Sequence, residues 1–256
     1  MEGVAKPNVK INKVMNMFNL TINTTYIKKY IKDKLDSENL VIEKRETFIT
    51  KKWKIGISTS YVPIIVFVEK LIDYIVKNTI EDSENDFNGL IELKYLKLEN
   101  LFYKNRVLRN SFINLLFNYD RNENYKIKNP INFKIINHYI NTKISKSIKL
   151  DNDYMNFLCF VVNKSINQII NTAINILTFV KKVNLKPEII KFVISILYKD
   201  FYDLIEINLN DCLEYKKEDK TKENNSEESE EETKEDKSLI DIVDDDIKEI
   251  TYDIED

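Results

Sequence analysis

From Tyr154 to Lys181, apolar residues return at steps of three and four: Met155, Leu158, Val162, Ile166, Ile169, Ala173, Leu177 and Val180. This spacing draws one apolar stripe along a single helix, and its 28 residues span about 42 Å at the rise of an α-helix. Phe160, Val161, Ile170, Ile174 and Phe179 widen the stripe, so the helix must be covered from more than one side. Any fold of this chain is built around that element. Three glycines and four prolines in 256 residues are too few for the tight turns of an all-β or a phosphate-cradling α/β fold. The expected class is all-α.

The long helix sits inside a plan of short helix, long helix, short helix. A shorter amphipathic run, Phe133 to Thr142, precedes it, followed by the polar connection Lys143 to Asp151. After it come Lys182 to Lys186, and then Pro187 and Glu188 open a third helix reaching about Lys199. Proline suits a first helical turn, and glutamate there complements the helix dipole.

The same plan is legible earlier. Thr24 or Thr25 is expected to cap a first helix carrying Tyr26, Ile27, Tyr30, Ile31 and Leu35, and a long connection runs from Asp36 to Ile57. Ser58 or Thr59 introduces a second long helix beginning Tyr61-Val62-Pro63-Ile64-Ile65-Val66-Phe67-Val68 and continuing through Ile72, Ile75 and Val76. Past the polar break Glu81 to Gly89, the strand-like Leu90-Ile91-Glu92-Leu93 leads to a third helix, Lys94 to about Lys104, with a helical continuation from Leu108 to Phe117. The expected organisation is an N-terminal extension (1–23), a first unit (24–120), a second unit with a C-terminal helix (121–217) and an acidic tail (218–256).

The charge is divided along the same lines. The whole chain is nearly balanced, with 39 basic and 42 acidic residues. From Glu218 to Asp256 there are 18 acidic and 5 basic residues, a net of −13, which leaves Met1 to Lys217 with 34 basic and 24 acidic and a net of +10. The tail has almost no apolar residue before Leu239 and cannot bury enough surface to offset its ordering entropy, so disorder is expected there. Its end mixes aliphatic residues with Asp244, Asp245, Asp246 and Tyr252, a composition that suits either docking on a basic surface, as a DNA mimic or internal chaperone, or a solubilising tail with no partner.

Several function classes find no support. Cys159 and Cys212, with His138 as the only histidine, make neither a disulfide framework nor a zinc site. The most apolar stretches, Val62 to Val68 and Phe157 to Val162, fall well short of the roughly 20 residues of a membrane span. No Gly-rich phosphate loop, HExxH, GxSxG or cysteine-histidine pair occurs, so neither catalysis, cofactor nor small-molecule substrate is expected. The start of the chain lacks a secretory signal pattern, and an intracellular protein is expected. Heavy use of Ile, Asn and Lys fits an AT-rich genome, as in many large DNA viruses and some protists.

With helix lengths and apolar spacing in view, the sequence resembles the histone fold, and its doubling resembles the histone doublets of large DNA viruses. Tyr154 to Tyr198 looks like the long helix, second loop and third helix of a core histone. Val62 to Leu71 looks like the start of the long helix in a histone that flanks the central tetramer. The resemblance implies two tandem histone-fold units forming an intramolecular pseudo-heterodimer of the flanking type. It also implies a clamp between a basic residue ending the long helix, Lys181, and an acid opening the third, Glu188.

In such a pair the partners lie head to tail, with the first loop of each beside the second loop of the other. One edge then joins Lys51, Lys52 and Lys54 to Lys181, Lys182 and Lys186, six lysines along one stretch of phosphate backbone. The opposite edge joins Lys143, Lys146 and Lys149 to Glu81, Asp82, Glu84 and Asp86, and is expected to bind weakly or to contact protein. Helix N-termini near Asn132 and Thr25 are further expected donors to phosphate. The function implied is nonspecific binding and packaging of double-stranded DNA in a virion core, viral factory or host nucleus, with other histone-like proteins as further partners. The competing expectation is a viral interaction protein, or a chaperone-like histone binder, acting through its acidic tail.

Overall fold

The computed structural model describes the backbone of residues 18–37, 41–46, 49–57, 59–83 and 89–223, and the side chains of all these except 37, 41–46, 49–54 and 212–223. In chain order the elements are α1 (Thr24–Ser37), β1 (Val41–Glu46), β2 (Ile49–Lys54), β3 (Gly56–Ile57), α2 (Tyr61–Glu81), β4 (Ile91–Leu93), α3 (Tyr95–Lys104) and α4 (Arg106–Leu116). They continue with a 3-10 turn (Tyr125–Ile127), α5 (Phe133–Tyr139) running into a π turn (Ile140–Ile144), β5 (Ile148–Leu150), α6 (Asn152–Phe179), β6 (Asn184–Leu185), α7 (Pro187–Leu197) and α8 (Lys199–Glu223). The protein is mostly helical, as the scarcity of turn residues predicts. Its contacts divide it into two units, Met1–Leu213 and Glu214–Asp256, and both rounds of the helical plan fall in the first.

The two long helices make the core. Residues Ile64 to Val68 of α2 are buried in succession, as are Leu71, Ile72, Ile75 and Val76, so the first half of α2 is buried on every side. A helix of that kind has to be enclosed, and α1, α3, α6 and α7 all pack on it. The stripe of α6 packs on α2, α3, α4, α5 and α7. Each fully buried Leu, Ile or Phe contributes about 1.5–3 kcal/mol, so this shared interior dominates the stability of the unit. Phe67 of α2, Phe112 of α4, Tyr198 at the end of α7 and Phe201 of α8 form one aromatic cluster, with Phe112 stacked on Tyr198 at 4.8 Å.

Two buried amides of α6 tie down the stretch between α4 and α5. Asn163 accepts from the Ile131 N–H at 3.0 Å and donates to the Ile131 carbonyl at 2.7 Å. Two turns earlier, Asn156 accepts from the Tyr125 N–H at 2.7 Å and donates to the Glu123 carbonyl at 2.9 Å. Side-chain amides here stand in for a neighbouring strand, giving partners to backbone groups that no helix or sheet supplies.

The strands form three separate pairs. β1 and β2 make an antiparallel hairpin. β3 pairs in parallel with β6, Gly56 opposite Asn184 and Ile57 opposite Leu185. β4 pairs in parallel with β5, Ile91 opposite Ile148 and Leu93 opposite Leu150. The last two pairs are reciprocal: the strand before α2 meets the strand after α6, and the strand after α2 meets the strand before α6.

Several boundaries differ from expectation. The connection from Asp36 to Ile57 contains the hairpin; Thr47 and Phe48, between its strands, are not turn formers, so no local signal announced it. The cap of α1 is Asn23, whose Oδ1 accepts from the Thr25 N–H at 2.8 Å, and neither Thr24 nor Thr25 fills that role. α6 stops at Phe179 because Lys181 takes a left-handed conformation, φ 53°. Its N–H bonds the Thr178 carbonyl and that of Lys182 the Leu177 carbonyl, closing the helix as a Schellman turn without glycine. α8 runs through Glu218 to Glu223, so the first six residues of the expected disordered tail are helical. Asp244, Asp245, Asp246 and Tyr252 lie outside the described residues.

Candidate nucleic-acid interface

The lysine-bearing connections meet where β3 pairs with β6. The Gly56 N–H bonds the Val183 carbonyl at 2.7 Å, and two residues back from the paired Gly56 and Asn184 stand Lys54 and Lys182. Lys186 follows Leu185 directly, and Lys181 is exposed one residue before Lys182. This first junction therefore gathers Lys54, Lys181, Lys182 and Lys186. Lys51 and Lys52 are set farther along β2, opposite Lys44 and Glu43 in the hairpin register. Lys44 and Arg45, on β1, are cations of the same region that the sequence reading passed over, because it took the segment for a plain connection.

The first junction also holds two buried polar atoms, Ser60 Oγ and Glu188 Oε2, with no hydrogen-bond partner among the described residues. Ser60 precedes α2 in a right-handed helical conformation and makes no capping bond, whereas an N-cap needs extended backbone. The expected clamp is not formed: no ion pair joins Lys181 to Glu188 among the described residues. The left-handed turn at Lys181 carries the end of α6 into an exposed position, and Glu188 is turned inward at the start of α7.

At the second junction, between β4 and β5, the polar groups are paired. Asp151 caps α6 by accepting from the Tyr154 N–H, and its other carboxylate oxygen accepts from the Tyr95 N–H at 3.3 Å, where α3 begins. Its own N–H bonds the Leu93 carbonyl at 3.1 Å. One aspartate thus closes two helix starts across the strand pair.

The lysines expected on this edge are largely engaged with protein. Lys149 is 3.6 Å from Glu92, which also approaches Lys94 at 3.5 Å. Lys143 donates to the Asn19 carbonyl at 3.0 Å and to Asn19 Oδ1 at 2.7 Å, so it serves the N-terminal segment. Lys146 is exposed. The neutralising acid is Glu92, and Asp82 pairs instead with Lys104 at 3.9 Å. Glu81 is exposed, and Glu84 and Asp86 lie outside the described residues.

Glu69 holds the same N-terminal segment from α2, accepting from the N–H groups of Thr21 and Ile22 at 2.6 and 2.7 Å. Burial pushes its carboxyl above the usual range, against the pull of those two donors and of Lys143 and Lys70. The helix starts named as phosphate donors are already occupied, since Asn132 accepts from the N–H groups of Lys134 and Ile135 as Asn23 does from Thr25. His138 is exposed, and burial pushes the Cys159 thiol up to about 12, which leaves it unreactive. Among the described residues no helix is long and apolar enough to cross a membrane.

No protein-family model matches the chain, and no curated protein matches its sequence.

Proposed function

We propose that the chain is a pair of tandem histone-fold units, residues 24–120 and 121–217, joined as an intramolecular pseudo-heterodimer that holds duplex DNA without reading its sequence and packages a genome, most fittingly a viral one. The observation that carries this reading is the reciprocal strand pairing. In a histone-fold pair the first loop of each partner lies beside the second loop of the other, and β3–β6 and β4–β5 have that arrangement within one chain. Helix order and length agree with it, a long helix flanked by shorter ones in each round.

The first junction supplies the means of holding DNA. Lysines contact phosphate as point charges, release counterions and carry no sequence information. The net of +10 over Met1 to Lys217 favours approach of a polyanion. Further histone-like units would join through the third helices, where Ile196 of α7 is 57% exposed.

The test is the affinity of the full chain for two duplexes of unrelated sequence across a salt series. Both should bind alike, and log K should fall against log salt with a slope of about −4 to −5, from four to six lysine contacts at about 0.9 each. Nuclease digestion of saturated long DNA should leave protected fragments of regular length. Absence of binding at low salt, or a strong preference between the two sequences, sinks the proposal.

A further inference from the structure

We propose that Phe179, with the lysines that follow it, is a stacking platform for the bases of single-stranded DNA at the first junction. This inference rests on the reading of that junction as a phosphate-binding rim and goes beyond it. Lysines hold a strand by its backbone alone; a ring beside them engages its bases.

Exposure singles the residue out. Phe179 is the last residue of α6 and is 84% exposed, more than any other large apolar side chain among those described. Two residues past the buried Leu177, it faces away from the core, on the side where Asn175 and Thr178 are also exposed.

The end of the helix brings cations to the ring. The left-handed turn at Lys181 folds the chain back, so that the Lys181 N–H bonds the Thr178 carbonyl at 3.3 Å and the Lys182 N–H the Leu177 carbonyl at 3.0 Å. Both lysines therefore stand at the same helix end as Phe179, and Lys186 follows directly after β6. None of the three makes an ion pair among the described residues.

The setting of the ring says what it meets. Its exposed neighbours along the chain are an amide, a hydroxyl and an ammonium, those of Asn175, Thr178 and Lys181. Between Phe133 and Ile196 no other large apolar side chain is exposed. A protein interface is built on a connected apolar patch from which charge is depleted, the reverse of a solitary ring among lysines. A nucleotide matches the setting, with a π face for the ring, polar edges for the amide and hydroxyl, and a phosphate for the lysines. In a duplex each base is already stacked on its neighbours, and a ring reaches it only by unstacking it at a cost. In a single strand the face is free, so Phe179 adds to single-strand binding and little to duplex binding.

The experiment uses the full-length chain, with an oligothymidine of about 12 nucleotides, a sugar–phosphate strand of equal length without bases, and a duplex, read by fluorescence anisotropy across a salt series. The native chain should bind the oligothymidine about 10-fold tighter than the abasic strand. Phe179→Ala should abolish that preference, weaken the oligothymidine by about 10-fold and the duplex by less than about 2-fold, and leave the salt slope unchanged, because stacking releases no counterions. Phe179→Trp should keep the preference. The rim variant K182Q/K186Q should weaken both single strands alike and flatten the slope by about 1.4, two contacts at about 0.7 each. Equal binding of the two single strands by the native chain overturns the platform and leaves the duplex-binding reading standing. So does a preference that survives Phe179→Ala, including the case in which that variant loses self-association by sedimentation and the ring is a contact between copies. Failure of the native chain to bind any of the probes overturns both readings together.

Discussion

The β3–β6 and β4–β5 junctions share a backbone plan and differ in what surrounds it. Both are short parallel pairs that join the start of one long helix to the end of the other. Around the second, Asp151 closes two helix starts and Glu92 sits between Lys149 and Lys94. Around the first, Lys181, Lys182 and Lys186 make no ion pair among the described residues, Ser60 makes no cap, and a buried oxygen of Glu188 has no partner among them. Backbone pairing is thus sufficient to set the geometry at either end, and the side chains are then at liberty to differ. The second end has side chains arranged for stability; the first has an unbalanced charge and unsatisfied groups, the pattern expected where a site answers to more than the fold.

The sharpest way to break this comparison is to invert the charges. Changing Lys54, Lys181, Lys182 and Lys186 to glutamate is expected to weaken binding to duplex DNA by about 100-fold, read by fluorescence anisotropy at low salt. The same change at Lys143, Lys146 and Lys149 should alter it by less than about 5-fold, since two of these already contact protein. Equal effects would erase the distinction between the ends.

Capping offers the next contrast. Asp151→Ala removes the acceptor of two helix-start N–H groups and should lower unfolding free energy by about 2 kcal/mol in a denaturant titration, with Asp151→Asn losing less. Ser60→Ala, which removes a buried hydroxyl without a partner, should be neutral or stabilising by up to about 0.5 kcal/mol. A large loss at Ser60 would mean that the first junction is closed in the same way as the second.

The smallest effect is expected at Lys181. Its left-handed conformation is one that glycine adopts without strain, so Lys181→Gly should raise stability by about 1 kcal/mol and lower DNA affinity slightly. A gain in stability without any change in affinity would remove Lys181 from the rim.

Much of the framework was legible in the residues, and particular elements show where legibility ended. The stripe from Met155 to Val180 located α6 within two residues at either end, and Pro187 marked the first residue of α7. Leu90 to Leu93 read as a strand because a short apolar run between turn residues is a local property. The hairpin was missed because its six-residue strands carry mixed charge and no turn motif. Lys181 was read as the end of the long helix; its left-handed conformation, which stops α6 two residues earlier at Phe179, was not legible because a lysine rarely adopts it. Asn156 and Asn163 read as polar interruptions of an apolar stripe; their worth lies in groups some 30 residues away.

Periodicity and the paucity of glycine and proline determined by themselves that the chain would be helical, with two long helices and a basic body ahead of an acidic end, because those properties depend on near neighbours in the chain. Which lysines would share an edge was decided only by tertiary structure. Gly56 and Asn184 are separated by half of the chain, and the strand pairing that joins them forms only once α2 and α6 have packed. The same packing gave Lys149 to Glu92 and Lys143 to Asn19, and left Lys181, Lys182 and Lys186 at the other end without an ion pair among the described residues, an outcome that no count of charges along the chain contains.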